Sequence, residues 1–237
     1  MQIQTVGIIG AGTMGNGIAQ ACATSGINVV MVDISEAAVQ KGLATVAGSL
    51  DRLIKKEKIS AADKEAALAK IKVSTDYSAL KAAQLVIEAA TENEALKIKI
   101  LQEVDALVGP EVLIASNTSS ISITKLAAVT GRADKFIGMH FFNPVPMMAL
   151  VEVIRGLQTS DATHAAVQAL AQQLGKTPIT VKNGPGFVVN RVLIPMINEA
   201  FFVLAEGLAT AEDIDAGMKL GCNHPIGPLA LADMVGL

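Results

Sequence analysis

Charge is scarce in this sequence, and so is cysteine. Asp, Glu, Lys and Arg make up 17% of the 237 residues while apolar types make up 51%, against roughly 25% charged residues in an average globular chain. That balance excludes a disordered chain. At roughly 150 residues per domain, the length allows one large domain and a smaller one. Neither sign of charge dominates, since 19 basic and 22 acidic residues leave a formal net charge of -3. No broad basic field for nucleic acid is therefore expected, and any anion site must be local. The two cysteines, Cys22 and Cys222, lie far apart with no partners at metal-ligand spacing. This excludes a disulfide-stapled fold and fits a reducing compartment with no bound metal.

No charged residue precedes Asp33, yet this opening is neither a membrane span nor a signal peptide. Gln2, Gln4, Thr13, Asn16, Gln20, Thr24 and Asn28 interrupt the apolar run, six glycines are scattered through it, and no basic segment leads it. The expectation is a soluble, cytoplasmic protein without a membrane partner.

What is present is an alternation. Runs rich in Val and Ile at Thr5–Ile9, Val29–Val32, Leu85–Glu88 and Val112–Ser116, with a weaker one at Ile71–Ser74, are separated by helical stretches. This argues for a parallel sheet covered by helices. Val39, Leu43, Val46, Leu50 and Leu53 recur at the spacing of one helix face. With Ser60 capping a second helix, residues 36–70 read as a helical hairpin projecting from the sheet. Further strands are expected at Phe136–Met139, Leu150–Ile154 and Pro178–Val181, the first two forming an antiparallel end of the sheet. After Asn183-Gly184-Pro185-Gly186 only helices follow, at Phe187–Glu206 and Ala211–Leu220. The predicted architecture is α/β: a Rossmann-type, mostly parallel sheet domain over residues 1–183, followed by a small all-helical domain over 184–237. There is no internal repeat and no low-complexity tract.

Gly10-Ala11-Gly12-Thr13-Met14-Gly15 follows the first strand and opens a helix, the context that a dinucleotide fingerprint requires. Gly10 permits the tight turn, Gly12 the approach of a pyrophosphate, and Gly15 the packing of helix on strand. Exposed amides and the helix dipole then bind phosphate. Asp33, at the tip of the second strand, selects NAD over NADP because it can accept hydrogen bonds from ribose hydroxyls and would repel an added phosphate. The competing role, capping the helix that follows, is open to Ser35 instead.

A histidine such as His140, at the end of an apolar strand, is by itself more often a core residue. The next strand carries Glu152 among apolar neighbours, and a buried carboxylate needs a partner. A turn centred near Pro146 brings the two opposite one another. A histidine oriented by a carboxylate is a proton-transfer pair, and beside NAD its natural task is alcohol oxidation.

These motifs, together with Ala115-Ser116-Asn117-Thr118-Ser119-Ser120, Pro185-Gly186-Phe187-Val188-Val189-Asn190-Arg191 and Met218-Lys219-Leu220-Gly221, resemble the L-3-hydroxyacyl-CoA dehydrogenase family. The likeness is greatest to the stand-alone bacterial type acting on 3-hydroxybutyryl-CoA. It runs from residue 3 to the last residue and implies an acyl-CoA substrate and a homodimer. It also implies that His140 is the catalytic acid/base, that Glu152 orients it, and that Ser119 and Asn190 are polar contacts near the reacting carbonyl. Met14, Glu92, Lys97, Ser119 and Asn143 would lie with the glycines and Asp33 beside NAD, and Ser49 and Lys56 beside the coenzyme A tail.

The residues alone leave blander readings open. Ser119 could cap the short helix after it, Asn190 could face solvent from within a helix, and Lys97 and Lys99, like Lys55, Lys56 and Lys58, could be a solvated face. Family members continue for several tens of residues past Leu237, so the helical domain is expected to be incomplete. Two rival functions remain: a dehydrogenase of a free hydroxy acid, for which Arg155 and Arg191 are the candidate carboxylate clamps, and a non-catalytic NAD-binding protein.

Overall fold

The computed structural model describes residues 2–236. The chain divides into two compact units, Met1–Pro185 and Gly186–Leu237. The division falls two residues past the end of the region assigned to the sheet domain at 183. Asn183 still belongs to the first unit because its side chain accepts from the Ile123 amide (2.8 Å) and donates to Ser122 Oγ (3.1 Å).

The first unit is one eight-stranded sheet of order β3-β2-β1-β4-β5-β6-β7-β8. Its strands are β1 (Thr5–Ile9), β2 (Asn28–Val32), β3 (Ile71–Ser74), β4 (Leu85–Glu88), β5 (Leu113–Ser116), β6 (Phe136–Phe141), β7 (Leu150–Arg155) and β8 (Thr177–Lys182). Neighbouring pairs from β3 to β6 are parallel, β6 and β7 are antiparallel, and β7 and β8 are again parallel. The central strands β4 and β5 are buried along their whole length, as expected of near-continuous apolar strands covered on both faces. Because β1, β4, β5 and β6 run the same way, their carboxyl ends share one edge of the sheet. The strand order reverses between β1 and β4, so a ligand crevice is expected outside that edge.

Helix α1 (Thr13–Thr24) joins β1 to β2, and α2 (Glu36–Lys55) and α3 (Ala61–Ala69) form the hairpin before β3. Ser35 caps α2, and Ser60 with Asp63 forms a reciprocal capping box on α3. The Ser60 hydrogen bonds hold the Asp63 carboxyl below the ordinary aspartate range. The hairpin does not stand clear of the sheet. Val39, Val46 and Leu50 are completely buried, and both helices pack on α1 and β3. Its far end, from Asp51 to Lys58, and the first turns of α3 are largely exposed and charged. The apolar stripe is long enough to bind most of α2 to the core, which leaves the tip to project.

Helix α4 (Glu94–Leu107) links β4 to β5, α5 (Ile123–Ala127) follows β5, and α6 (Asp161–Gln173) crosses from β7 to β8. The second unit contains α7 (Val189–Ala205), α8 (Ala211–Gly221) and α9 (Pro228–Val235). Thr210 caps α8, and Asp215 accepts from the Leu229 and Ala230 amides at the start of α9. Helix α7 starts later than the predicted Phe187. Gly186 and Phe187 both have positive φ, 73° and 52°, which no right-handed helix accommodates. Asn190 is therefore in the first turn of α7 and not deep inside it.

Candidate active site

The glycine-rich turn is built as the fingerprint requires. Gly10 has φ of 98°, and a Cβ there would lie 2.7 Å from both the Ala89 oxygen and Ala90 Cα. A Cβ on Gly15 would collide with the Gly10 carbonyl, so α1 could not approach β1. Gly12 is different: it is exposed, with nothing within 4 Å of the position its Cβ would occupy. It is also the N-cap of α1, and no side chain caps that helix and no acidic residue sits in its first turn. The amides that open α1 are thus presented without a competing carboxylate, which suits an anionic pyrophosphate. Met14, just inside the helix, is half-buried against the core.

Asp33 has a second task that its spacing in the sequence does not reveal. One carboxylate oxygen accepts from the Ala11 amide (2.7 Å) and the other from the Ile34 amide (2.7 Å), so the residue anchors the glycine-rich turn from β2. Capping of α2 belongs to Ser35. Asp33 borders a cavity of about 440 Å³ lined by Asp76, Tyr77 and Glu103 among others, and a second one, at the glycine-rich turn, that Lys41 also lines. Burial, then the carboxylates of Glu103, Asp33 and Glu88, push the Tyr77 phenol above its usual range.

The second centre lies at the carboxyl end of β6. His140 pairs in register with Glu152 of β7, and His140 Nδ1 is 2.7 Å from Glu152 Oε2. Glu152 is fully buried and His140 is 6% exposed. A carboxylate in such a place fixes the tautomer of the imidazole and holds the ring in one orientation. Phe142 lies against the ring, with centroids 4.4 Å apart. Asn117, the residue after β5, accepts from the Phe141 amide (3.0 Å) and so ties the strand carrying His140 to its parallel neighbour. The loop after β6 is pinned by Lys176, whose ammonium donates to the carbonyls of Val145 (2.5 Å) and Met148 (2.8 Å), and burial lowers the pKa of that lysine. The same loop presses Val145 onto Gly17 of α1, where a Cβ would lie 2.9 Å away.

Sequence reasoning missed Asn117 and Lys176. Both act on backbone groups from elements remote in sequence, and no spacing rule signals that.

The remaining site residues separate into groups. Ser119 is half-buried on the loop after β5, where its amide and the Thr118 hydroxyl both donate to the exposed Glu92 (3.3 and 2.8 Å). The helix that Ser119 could have capped is capped by Ser122. Asn143 is exposed on the loop after His140. Lys97 is not on a solvated face: it is 1% exposed and ion-paired with Glu88, whereas Lys99 is exposed. Ser49 is half-buried near the end of α2, and Lys56, which follows that helix, is exposed with Lys55 and Lys58. Asn190 lies in the second unit, half-buried. Arg155 is at the far end of β7, about 10 Å along the strand from Glu152 at about 3.3 Å per residue, and is held by Thr159 and Asp161. It is therefore no carboxylate clamp for His140. Among the described residues, no helix is long and apolar enough to cross a membrane.

Both parts of the chain match models of one enzyme family. Residues 5–184 match the NAD binding domain of 3-hydroxyacyl-CoA dehydrogenase, and residues 186–237 match the C-terminal domain of the same enzyme. A 3-hydroxybutyryl-CoA dehydrogenase of Bradyrhizobium diazoefficiens is 49% identical over 99% of the chain and 80% of its own length. The crystal structure of (S)-3-hydroxybutyryl-CoA dehydrogenase from Ralstonia eutropha superimposes with a TM-score of 0.97 at 78% identity, covering 99% of this chain and 83% of that one. A diketoreductase acting on dicarbonyl compounds is also similar, with a TM-score of 0.94 at 32% identity over the whole chain and 85% of its own. With both halves of the chain matched in order, and the fingerprint and the histidine–glutamate pair on one edge of one sheet, this chain belongs to the 3-hydroxyacyl-CoA dehydrogenase family.

Proposed function

We propose that the protein interconverts (S)-3-hydroxyacyl-CoA and 3-ketoacyl-CoA with NAD, and that its preferred pair is 3-hydroxybutyryl-CoA and acetoacetyl-CoA. The observation that carries this reading is the buried His140–Glu152 pair on the sheet edge that also bears the dinucleotide turn. Bound NAD supplies the hydride acceptor, while the protein supplies orientation and the proton path. Since Nδ1 of His140 is engaged by Glu152, Nε2 is the nitrogen that would take the hydroxyl proton in oxidation and return it in reduction. Glu152 stabilises the imidazolium formed in between. Gly10, Gly12, Met14, Gly15, Asp33, Glu92, Lys97 and Asn143 are assigned to the cofactor. Ser119 is assigned to both the cofactor and the reacting carbonyl, and Asn190 to that carbonyl. Ser49 and Lys56 are assigned to coenzyme A.

NADH oxidation with acetoacetyl-CoA is the direct test, and turnover with NADH well above that with NADPH is expected from Asp33. Equal efficiency with both cofactors would remove the assignment of Asp33. In the same assay, Lys56→Ala should raise KM for acetoacetyl-CoA and leave KM for a pantetheine-truncated substrate nearly unchanged, because only the former carries the phosphates a lysine would meet. The likeness to a diketoreductase supports a second reading, in which a free dicarbonyl compound is the substrate. Turnover of such a compound with none of acetoacetyl-CoA would establish it.

The family resemblance also motivates a homodimer. The second unit leaves Ile194, Phe201 and Phe202 exposed on α7, and apolar surface of that kind is usually covered by a partner. A single-protomer mass in sedimentation would remove this part of the proposal. The free thiols of Cys22 and Cys222 suit a reducing, cytoplasmic setting.

A further inference from the structure

The loop between β6 and β7 is held by a lysine that neither strand supplies. Lys176 lies between α6 and β8, and its backbone is fixed on both sides. Gly175, with φ of 71°, ends α6 in a Schellman motif, in which its own amide donates to the Gln172 carbonyl (2.9 Å) and the Lys176 amide to the Ala171 carbonyl (3.0 Å). The next amide, that of Thr177, donates to the Ala149 carbonyl (2.7 Å) and begins the pairing of β8 with β7. From this rigid root the ammonium reaches the carbonyls of Val145 (2.5 Å) and Met148 (2.8 Å). The Pro144 carbonyl accepts from both the Met147 and the Met148 amides (3.0 Å each). The loop is thus closed by its own turn and by Lys176.

Ordering so flexible a side chain costs rotamer freedom, and lysines are mostly left exposed. What this one fixes is a short span beside the reacting groups. The Val145 side chain is buried and faces Gly17 of α1, where an added Cβ would lie 2.9 Å from Val145 Cβ. Val145 is therefore fixed by Gly17 through its side chain and by Lys176 through its carbonyl. Four residues earlier, the Phe141 amide is anchored by Asn117 (3.0 Å). Only Phe142, Asn143 and Pro144 lie between the two anchors. With both ends of so short a span fixed, Phe142 stays against the His140 ring and Asn143 has little freedom to move.

We propose that Lys176 is a positioning residue for the reaction: by clamping the Val145 and Met148 carbonyls it places Asn143 for the cofactor and Phe142 for His140. This rests on the assignment of Asn143 to NAD, and the test keeps the two apart. NADH dissociation constants from fluorescence titration, melting temperatures and steady-state kinetics with acetoacetyl-CoA are measured for the unmodified protein, Lys176→Met, Asn143→Ala and their combination. Methionine keeps an unbranched stem and removes the donor. Lys176→Met should weaken NADH by about fivefold and lower kcat by about tenfold, within the roughly 100-fold that a misplacement of about 1 Å can cost. Asn143→Ala should weaken NADH at least as much. The combination should bind NADH within about twofold of the worse single variant, because losing the clamp and losing the side chain it places remove the same contact. A lysine that served stability alone would lower the melting temperature and leave NADH affinity unchanged well below the melt.

Unchanged NADH affinity and kcat in Lys176→Met, or fully multiplicative losses in the combination, would overturn the proposal. If Lys176→Met does not fold, Lys176→Gln, which keeps a donor, takes its place in the same cycle, and unchanged affinity and kcat there refute the idea equally. Weakened NADH in Lys176→Met beside unchanged affinity in Asn143→Ala would instead refute the assignment of Asn143. No NADH binding by the unmodified protein would refute the reading of the crevice itself.

Discussion

His140→Gln is expected to lower turnover of acetoacetyl-CoA by at least about 100-fold, the lower bound of what general acid–base catalysis contributes, while the NADH dissociation constant stays close to that of the unmodified protein. The separation follows from position. His140 is the penultimate residue of β6, with β5 and β4 between it and β1, which leads into the glycine-rich turn, so glutamine removes the proton carrier without touching the dinucleotide turn. Glu152→Gln should also cost turnover, because the amide neither stabilises the imidazolium nor holds the same tautomer. The two residues share one hydrogen bond of 2.7 Å, so the double variant should lose far less than the product of the single losses. Steady-state kinetics on the four proteins measure this, and fully multiplicative losses would show that the pair does not act as a unit.

Two glycine substitutions three positions apart should have different consequences. In Gly15→Ala the new methyl collides with the Gly10 carbonyl, and since the obstacle is backbone it cannot be relieved by a side-chain rotation. Overpacking of this kind costs about 3 kcal/mol, which for a chain of this size is a fall in melting temperature of about 6–12 °C, with NADH binding lost as well. In Gly12→Ala the methyl meets nothing within 4 Å, and the backbone there, φ −67° and ψ −168°, suits alanine. The melting temperature should hardly change. NADH affinity should nevertheless fall by at least about tenfold, which requires only about 1.4 kcal/mol of lost phosphate contact, because the methyl stands where a pyrophosphate must approach. Thermal melts and NADH titrations on the two variants test this, and a Gly12→Ala protein with unchanged NADH affinity would mean that the cofactor does not pass over that residue.

The order of strands and helices, the dinucleotide turn and the pairing of His140 with Glu152 are legible in the sequence because each is a short-range property. Strands declare themselves by Val- and Ile-rich runs, the turn by three glycines between a strand and a helix, and the pair by two strands joined through one loop, whose antiparallel register follows from the position of the turn. The start of α7 was misplaced because nothing in the composition of Gly186 and Phe187 announces that both take positive φ. Lys97 shows the limit most clearly. Its sequence neighbours suggest a solvated helix face, yet it is buried because β4 and β5 bring Glu88 and Ser116 beneath the start of α4. Asn117, Lys176 and the second task of Asp33 belong with it, since each satisfies a backbone group from a segment remote in the chain. Periodicity and local motifs thus determine which elements form and where the cofactor turn lies. Which polar side chains are buried and which backbone groups they hold is decided only when the sheet assembles, because a buried polar atom must find its partner in space wherever the chain supplies one.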